Sequence, residues 1–230
     1  MDYKQNAKYF EKVNMIPVIV GIVLALAGLL IGFIFFSAIS AIIGLVLLIA
    51  GVICAVSSVS GRIKGADLDA QAQKIYDSML DTMYKRIDNF DMKFVKMYPP
   101  IVAGGYNYDG DVKIKEDGDG STRSSAYKLV GMLFTENKMH VYENAFSFID
   151  SDGTKETIST YKYDDIGEAS VEEKQCDVPG SSKKYTYYLL HIALLKGGEI
   201  LIPVKNDAST DEILNVINRR VASKKTQPQA

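Results

Sequence analysis

Tryptophan is absent from this 230-residue chain, and histidine and cysteine occur only twice each. Cys54 and Cys176 form no framework of paired cysteines, so nothing here calls for an oxidising compartment. A G-x-S-x-G elbow, an H-E-x-x-H pair, a Walker loop and a Cys-x-x-Cys ligand set are all lacking as well. Little is left for catalysis, and no enzyme activity, cofactor or metal is expected. His140 and His191 fall in expected strands without a further Cys or His at ligand spacing, and both read as structural.

The largest absence is of charge. Residues 15–59 hold no Asp, Glu, Lys or Arg. A bilayer core of roughly 30 Å needs about 20 apolar helical residues, so this block is long enough for two crossings. A helical hairpin is expected, with spans over 16–36 and 39–57 and a turn at Ser37-Ala38-Ile39-Ser40. A cleaved signal sequence is the competing reading, but signal cores run only about 7 to 15 residues and are not followed by a second membrane-length segment. Lys4, Lys8 and Lys12 precede the block, and Arg62 and Lys64 follow it. By the positive-inside rule both ends are expected in the cytoplasm of a multi-pass cell-membrane protein.

Small residues line one face of each span: Gly21, Ala25, Gly28 and Gly32 on the first, and Ser40, Gly44, Gly51 and Ala55 on the second. Such stripes let helix backbones approach closely. Packing of the two spans on each other is preferred to a homo-oligomer through the glycine face. With no ionisable group in the spans beyond a thiol, an anchor is favoured over a pore or a membrane-remodelling hairpin.

Beyond the hairpin, Leu68, Ala72, Ile75, Met79, Met83, Ile87, Phe90, Phe94 and Met97 recur in steps of three and four. The mean step of about 3.6 is that of a straight amphipathic helix rather than a coiled coil, so 60–98 reads as a stalk packed on the domain C-terminal to it. Its other face, with Asp69, Lys74, Asp77, Asp81, Lys85, Asp88 and Asp91, reads as solvated. Pro99 and Pro100 end the helix and open a linker over 99–108.

From there the period changes to two, with β-branched and aromatic residues between Gly, Asp, Asn and Ser turns. Seven strands are expected near 111–115, 126–135, 138–148, 154–163, 169–174, 184–195 and 199–204. Glu136-Asn137, Asp152-Gly153 and Gly197-Gly198 supply turns. Tyr188, Leu190, Ile192 and Leu194 are expected in the core against Ile200, Ile202 and Val204. Ser209-x-x-Glu212 is a capping box that starts a last helix at Thr210, with a buried face of Ile213, Leu214, Val216, Ile217 and Val221. Arg219, Arg220, Lys224 and Lys225 suit its C-terminal dipole, and a disordered tail over 224–230 is expected.

The segment Tyr161-Lys162-Tyr163-Asp164-Asp165-Ile166, the turn Phe134-Thr135-Glu136-Asn137-Lys138 and the strands-then-helix order resemble bacterial pleckstrin-homology-like and GRAM-like domains, over about residues 105–222. The resemblance implies an α+β chain in which a seven-stranded antiparallel barrel over 99–223 is capped by a helix. It also implies a role in binding or scaffolding a protein partner. A lipid-binding version would use Lys113, Lys115 and Arg123, but Glu116, Asp117 and Asp119 stand among them and oppose an anionic headgroup. Residues 98–230 carry 16 Lys and Arg against 20 Asp and Glu, which argues against nucleic acid. The Asp117-Gly118-Asp119-Gly120-Ser121 turn departs from a calcium loop at Thr122 and Lys128. Tyr185, Tyr187 and Tyr188 on one strand, with Tyr161 and Tyr163 on another, could form an aromatic groove for a peptide, but the favoured reading is tyrosines half buried in strands.

Overall fold

A computed structural model describes residues 1–34, 38–87 and 90–225, without the side chains of residues 59, 224 and 225. The chain is α+β and divides into two compact units: Lys4–Lys64, and Gly65–Ala230 together with Met1–Tyr3. The expected span end at Phe35 and Phe36, the turn residue Ser37, the stalk residue Asp88 and residues 226–230 of the expected tail lie outside the described residues, while Lys224 and Lys225, also expected in that tail, belong to the last helix.

In the first unit, helix α1 (Tyr3–Phe10) precedes α2 (Met15–Ile34) and α3 (Ala38–Val59). Ala38, Ile39 and Ser40 were expected in the turn but already belong to α3, because apolar residues continue the helical pattern past Ser37. Both helices are long and apolar enough to cross a membrane, and little of either is buried within the protein, unlike the core helix of a soluble domain.

The two glycine stripes face each other. A Cβ on Gly21 would lie 2.7 Å from the Ala55 amide nitrogen, and one on Gly28 the same distance from that of Leu48. From the other side, a Cβ on Gly51 would meet the Ala25 nitrogen at 2.6 Å, and one on Gly44 the Gly32 nitrogen at 2.9 Å. Gly21, Gly28, Gly44 and Gly51 are thus spent on the intramolecular contact, where only hydrogen side chains let the backbones touch. Arg62 donates from Nη1 to the carbonyls of Lys8 (2.7 Å) and Glu11 (2.6 Å) and from Nη2 to that of Lys12 (3.3 Å), satisfying acceptors left at the end of α1.

The second unit begins with α4 (Gly65–Arg86) and a short α5 (Lys93–Met97). The expected single stalk is therefore interrupted: the Asp91 carboxylate accepts the Lys93 amide at 3.0 Å and starts a new turn, and Met97 is exposed rather than buried. Strand β1 (Ile101–Asn107) occupies most of the expected linker 99–108. Gly104-Gly105 reads as a break in sequence, yet pairing with β4 (Ala126–Phe134) from Ile101↔Met132 to Asn107↔Ala126 holds the segment extended.

Between them an insert carries a small hairpin of β2 (Ile114–Glu116) and β3 (Thr122–Ser124), shorter and later than the strand expected at 111–115. Next come β5 (Lys138–Ser147), β6 (Lys155–Lys162), β7 (Ile166–Asp177), β8 (Lys184–Leu194) and β9 (Glu199–Val204). Among the described residues there are nine strands rather than seven. They form a four-stranded antiparallel sheet β1-β4-β5-β6, the β2-β3 pair, and a three-stranded antiparallel sheet β7-β8-β9.

Gly197 and Gly198, both at positive φ, reverse the chain between β8 and β9 as expected. Asp152-Gly153 instead belongs to a 3₁₀ turn (Ser151–Gly153) capped by the Asp150 carboxylate. Helix α6 (Ala208–Lys225) opens two residues before Thr210, with Asp207 rather than Ser209 as the cap: its Oδ1 accepts the Thr210 amide at 3.1 Å.

The main core lies between the two large sheets and under α6. Val130, Met132, Phe134, Met139 and Val141 meet Leu190, Ile192, Ile200, Ile202, Ile217 and Val221 there. Tyr188 is only half buried, and Leu194 and Val204 pack at the edge of this cluster. Leu129 and Leu133 alternate to the other face of β4 and are also buried. Helix α4 lies over that face, where a Cβ on Gly131 would collide with the Met83 side chain. Each such fully buried aliphatic side chain contributes about 1.5–3 kcal/mol.

Helix α6 is fastened to β7 by Asn218. Its Nδ2 donates to the Ala169 carbonyl and its Oδ1 accepts the Ala169 amide, both at 2.9 Å, beside the register shift of β7 against β8 between Ile166 and Ala169. The Arg220 guanidinium stacks 3.9 Å from the Phe134 ring centroid.

Candidate functional site

No ladder joins β1 to β9 among the described residues, although the strands approach closely: a Cβ on Gly105 would lie 3.2 Å from the Pro203 carbonyl oxygen. Proline in a sheet is confined to edges because it has no amide to donate, and Pro203 keeps this seam unpaired. Above it lies a groove of about 730 Å³. Gly104, Gly105 and Tyr106 of β1 and Pro203, Val204, Lys205 and Asn206 at the end of β9 line it along the seam. Asp69, Ala72 and Gln73 of α4 form one bank, and Tyr108 with Gly120, Ser121, Thr122 and Arg123 of the insert another.

Tyrosines dominate this groove: Tyr106, Tyr108, Tyr127, Tyr185, Tyr187 and Tyr188 all line it. Tyr108 packs against Tyr185 and Tyr187 with ring centroids 5.0 and 5.1 Å apart, and Tyr106 meets Tyr127 edge-on at 5.1 Å. Several hydroxyls are committed. Tyr106 donates to Asp69 (2.6 Å), Tyr108 to the Thr122 carbonyl (2.6 Å) and Tyr187 to Asp109 (2.5 Å). Burial, reinforced by Asp69 at Tyr106 and by Asp109 at Tyr187, pushes these phenols far above their ordinary value; burial alone is the main cause at Tyr127, pushed up to about 12. The rings are thus neutral donors and aromatic faces, not nucleophiles.

Arg123 ties the banks together. Its side chain is 7% exposed and reaches Asp69 and Asp117 at 2.8 Å each and Asp119 at 3.4 Å. Burial raises the Asp69 carboxyl, but the hydrogen bonds from Arg123 and Tyr106 outweigh it and hold the group below the ordinary value. A backbone hydrogen bond from Ser121, with Arg123 behind it, likewise lowers Asp119.

Among the residues singled out in sequence, Tyr185 and Tyr187 come together in the groove. Arg123 lies there too, but as a neutralised strut rather than an anion receptor. Lys115 stands 3.8 Å from Asp117, and Lys113 is exposed on the insert. The three cations therefore do not converge on a free headgroup pocket. Sequence reasoning missed Tyr106 and Tyr108, whose alternation is interrupted by the glycines before them, and Asp69, which looked like part of a solvated helix face.

The histidines lie elsewhere. His140 Nδ1 is 2.9 Å from the Thr160 hydroxyl, and His191 bridges Glu172 (2.8 Å) and Glu199 (3.1 Å). Neither they nor Cys176 line the groove. No family model, curated protein or solved structure matches this chain.

Proposed function

We propose that this protein is a membrane-anchored interaction module in which α2 and α3 hold a pleckstrin-homology-like β domain at the cytoplasmic face of the membrane. The observation that carries the reading is the tyrosine-walled groove: an aromatic surface between a helix and an insert, with the Tyr106, Tyr108 and Tyr187 hydroxyls already hydrogen-bonded, is suited to holding a partner rather than transforming a substrate. Sheets of four and three antiparallel strands with a C-terminal helix support the pleckstrin-homology-like resemblance, which implied a seven-stranded barrel under a helix; the β2–β3 pair is additional to it. Lys4, Lys8, Lys12, Arg62 and Lys64 flanking the spans support cytoplasmic ends. The crevice between the spans, lined by Gly28, Leu29, Gly32, Phe33, Ala41, Gly44, Leu45 and Leu48, is apolar, which favours an anchor over a conducting path.

The test is a photo-reactive residue placed at Tyr185 in the full chain in its native membrane, with Ser182, exposed and outside the groove, as the control position. A protein adduct from position 185 and none from 182 is the expected result. Equal adducts from both positions, or none from 185, would overturn the reading.

A further inference from the structure

Cations gather at one end of the hairpin. Residues 1–64 hold Lys4, Lys8, Lys12, Arg62 and Lys64 against Asp2 and Glu11. Lys12 stands three residues before Met15, where α2 begins, and Arg62 three after Val59, where α3 ends. Three hydrogen bonds draw these two flanks together, from the Arg62 guanidinium to the carbonyls of Lys8, Glu11 and Lys12 at 2.7, 2.6 and 3.3 Å. Those acceptors carry no formal charge, so they hold the guanidinium in place without neutralising it. Helix α1 turns its lysines outward: Asn6 and Tyr9 are buried on one face, while Lys4 and Lys8, four residues apart on the opposite face, are exposed.

The surface beside these cations is apolar. Val13, Met15, Ile16 and Ile19, before and within the first turns of α2, are all exposed. Lysine stems can lie along such a flank with their ammonium groups at headgroup level. A small free anion would use the cations alone, whereas a phospholipid carries its phosphate and its acyl chains side by side, and this border offers a place to each. We propose that this end of the hairpin is a collar that binds anionic phospholipid, the Lys8, Lys12 and Arg62 side chains taking the headgroup phosphate while the flank of α2 takes the acyl chains. The inference rests on the membrane-anchor part of the reading above and is independent of the groove.

The experiment titrates the full chain in neutral detergent with equimolar phosphatidylglycerol and phosphatidylcholine of identical acyl chains, and counts the lipids that stay bound by native mass spectrometry. Phosphatidylglycerol is expected to be retained over phosphatidylcholine about tenfold. One cation at an anionic lipid surface is worth about fivefold, and Glu11 between Lys8 and Lys12 offsets part of that. Lys8→Gln and Lys12→Gln should therefore each lower the ratio about threefold, and the two together should bring it near parity. Lys8→Arg with Lys12→Arg should keep it, because charge is the requirement. Lys183→Gln with Lys184→Gln, exposed where β8 begins, removes the same charge elsewhere and should leave the ratio unchanged. All four lysines are exposed, so these variants separate lost binding from lost folding.

A ratio near one in the parent chain would overturn the collar, and so would a fall as large from the Lys183 and Lys184 pair as from the Lys8 and Lys12 pair, which would mark general charge attraction. Loss of the preference to millimolar inorganic phosphate at constant ionic strength would put a free anion at the cations and overturn the lipid assignment. Carbonate extraction of the full chain from phosphatidylcholine vesicles judges the anchor separately. A chain that resists extraction yet shows no preference for phosphatidylglycerol sinks the collar alone, whereas a chain that is extracted sinks the anchor and the collar with it.

Discussion

Replacing Arg123 by Leu tests the strut that holds α4, β3 and the β2–β3 turn together. The side chain is 7% exposed, and its removal takes from Asp117, itself only 18% exposed, the guanidinium at 2.8 Å. Asp69 also loses its guanidinium, but at 46% exposure solvent compensates much of that loss. Breaking a fully buried pair by removing one partner costs about 3–5 kcal/mol. Discounting by about half for the exposed carboxylate gives about 2 kcal/mol for Arg123→Leu. For a domain of this size that is a fall in Tm of roughly 4–8 °C.

Near-UV circular dichroism in detergent follows the transition, since the 14 tyrosines are the principal reporters in a chain without tryptophan. The pH dependence is a second check. Asp69 is held below the ordinary carboxylate value in the folded state, so its contribution is present above that value and is lost as pH falls through the lowered one. The gap between the parent and Arg123→Leu should therefore be constant near neutrality and narrow below about pH 4. Equal Tm values at pH 7, or a gap that persists undiminished in acid, would refute the strut.

In the hairpin, Gly28→Val should destabilise helix packing by about 1–3 kcal/mol, because the backbones must separate to admit the side chain. Gly32→Val, whose Cβ would meet nothing within 4 Å, should be near neutral; unfolding in graded sodium dodecyl sulfate compares them. Asn218→Ala should cost about 2 kcal/mol in urea unfolding, since it strips the amide and carbonyl of buried Ala169 of their side-chain hydrogen bonds. Burial pushes Tyr127, Tyr142 and Tyr163 up to about 12, so absorbance titration should show a phenol phase near there in the folded chain. As these folded values exceed the unfolded one near 10, the stability they contribute is complete below about pH 10 and lost as pH rises through 12. A single titration step near pH 10 under folded conditions would contradict this burial.

Local pattern determined much of this protein. Charge-free length wrote the two apolar helices, and their glycine spacing placed the stripes that meet between them. Alternation and Gly197-Gly198 wrote the later strands and the core residues Leu190, Ile192, Ile200 and Ile202. These features were legible because each depends on neighbours one to four positions away.

Tertiary structure decided the rest. Ile101–Asn107 looks like a linker and becomes a strand only because β4 lies beside it. Asp69 looks solvated and is joined to Arg123, 54 residues later, across a contact that no period in the sequence records. The groove exists because Gly105 and Pro203 meet at an unladdered seam, and because β1, β4 and β8 bring tyrosines to it between a helix and an insert. Hydrogen-bond pairing and charge compensation act between residues distant in sequence, so only the folded chain reveals which of them meet.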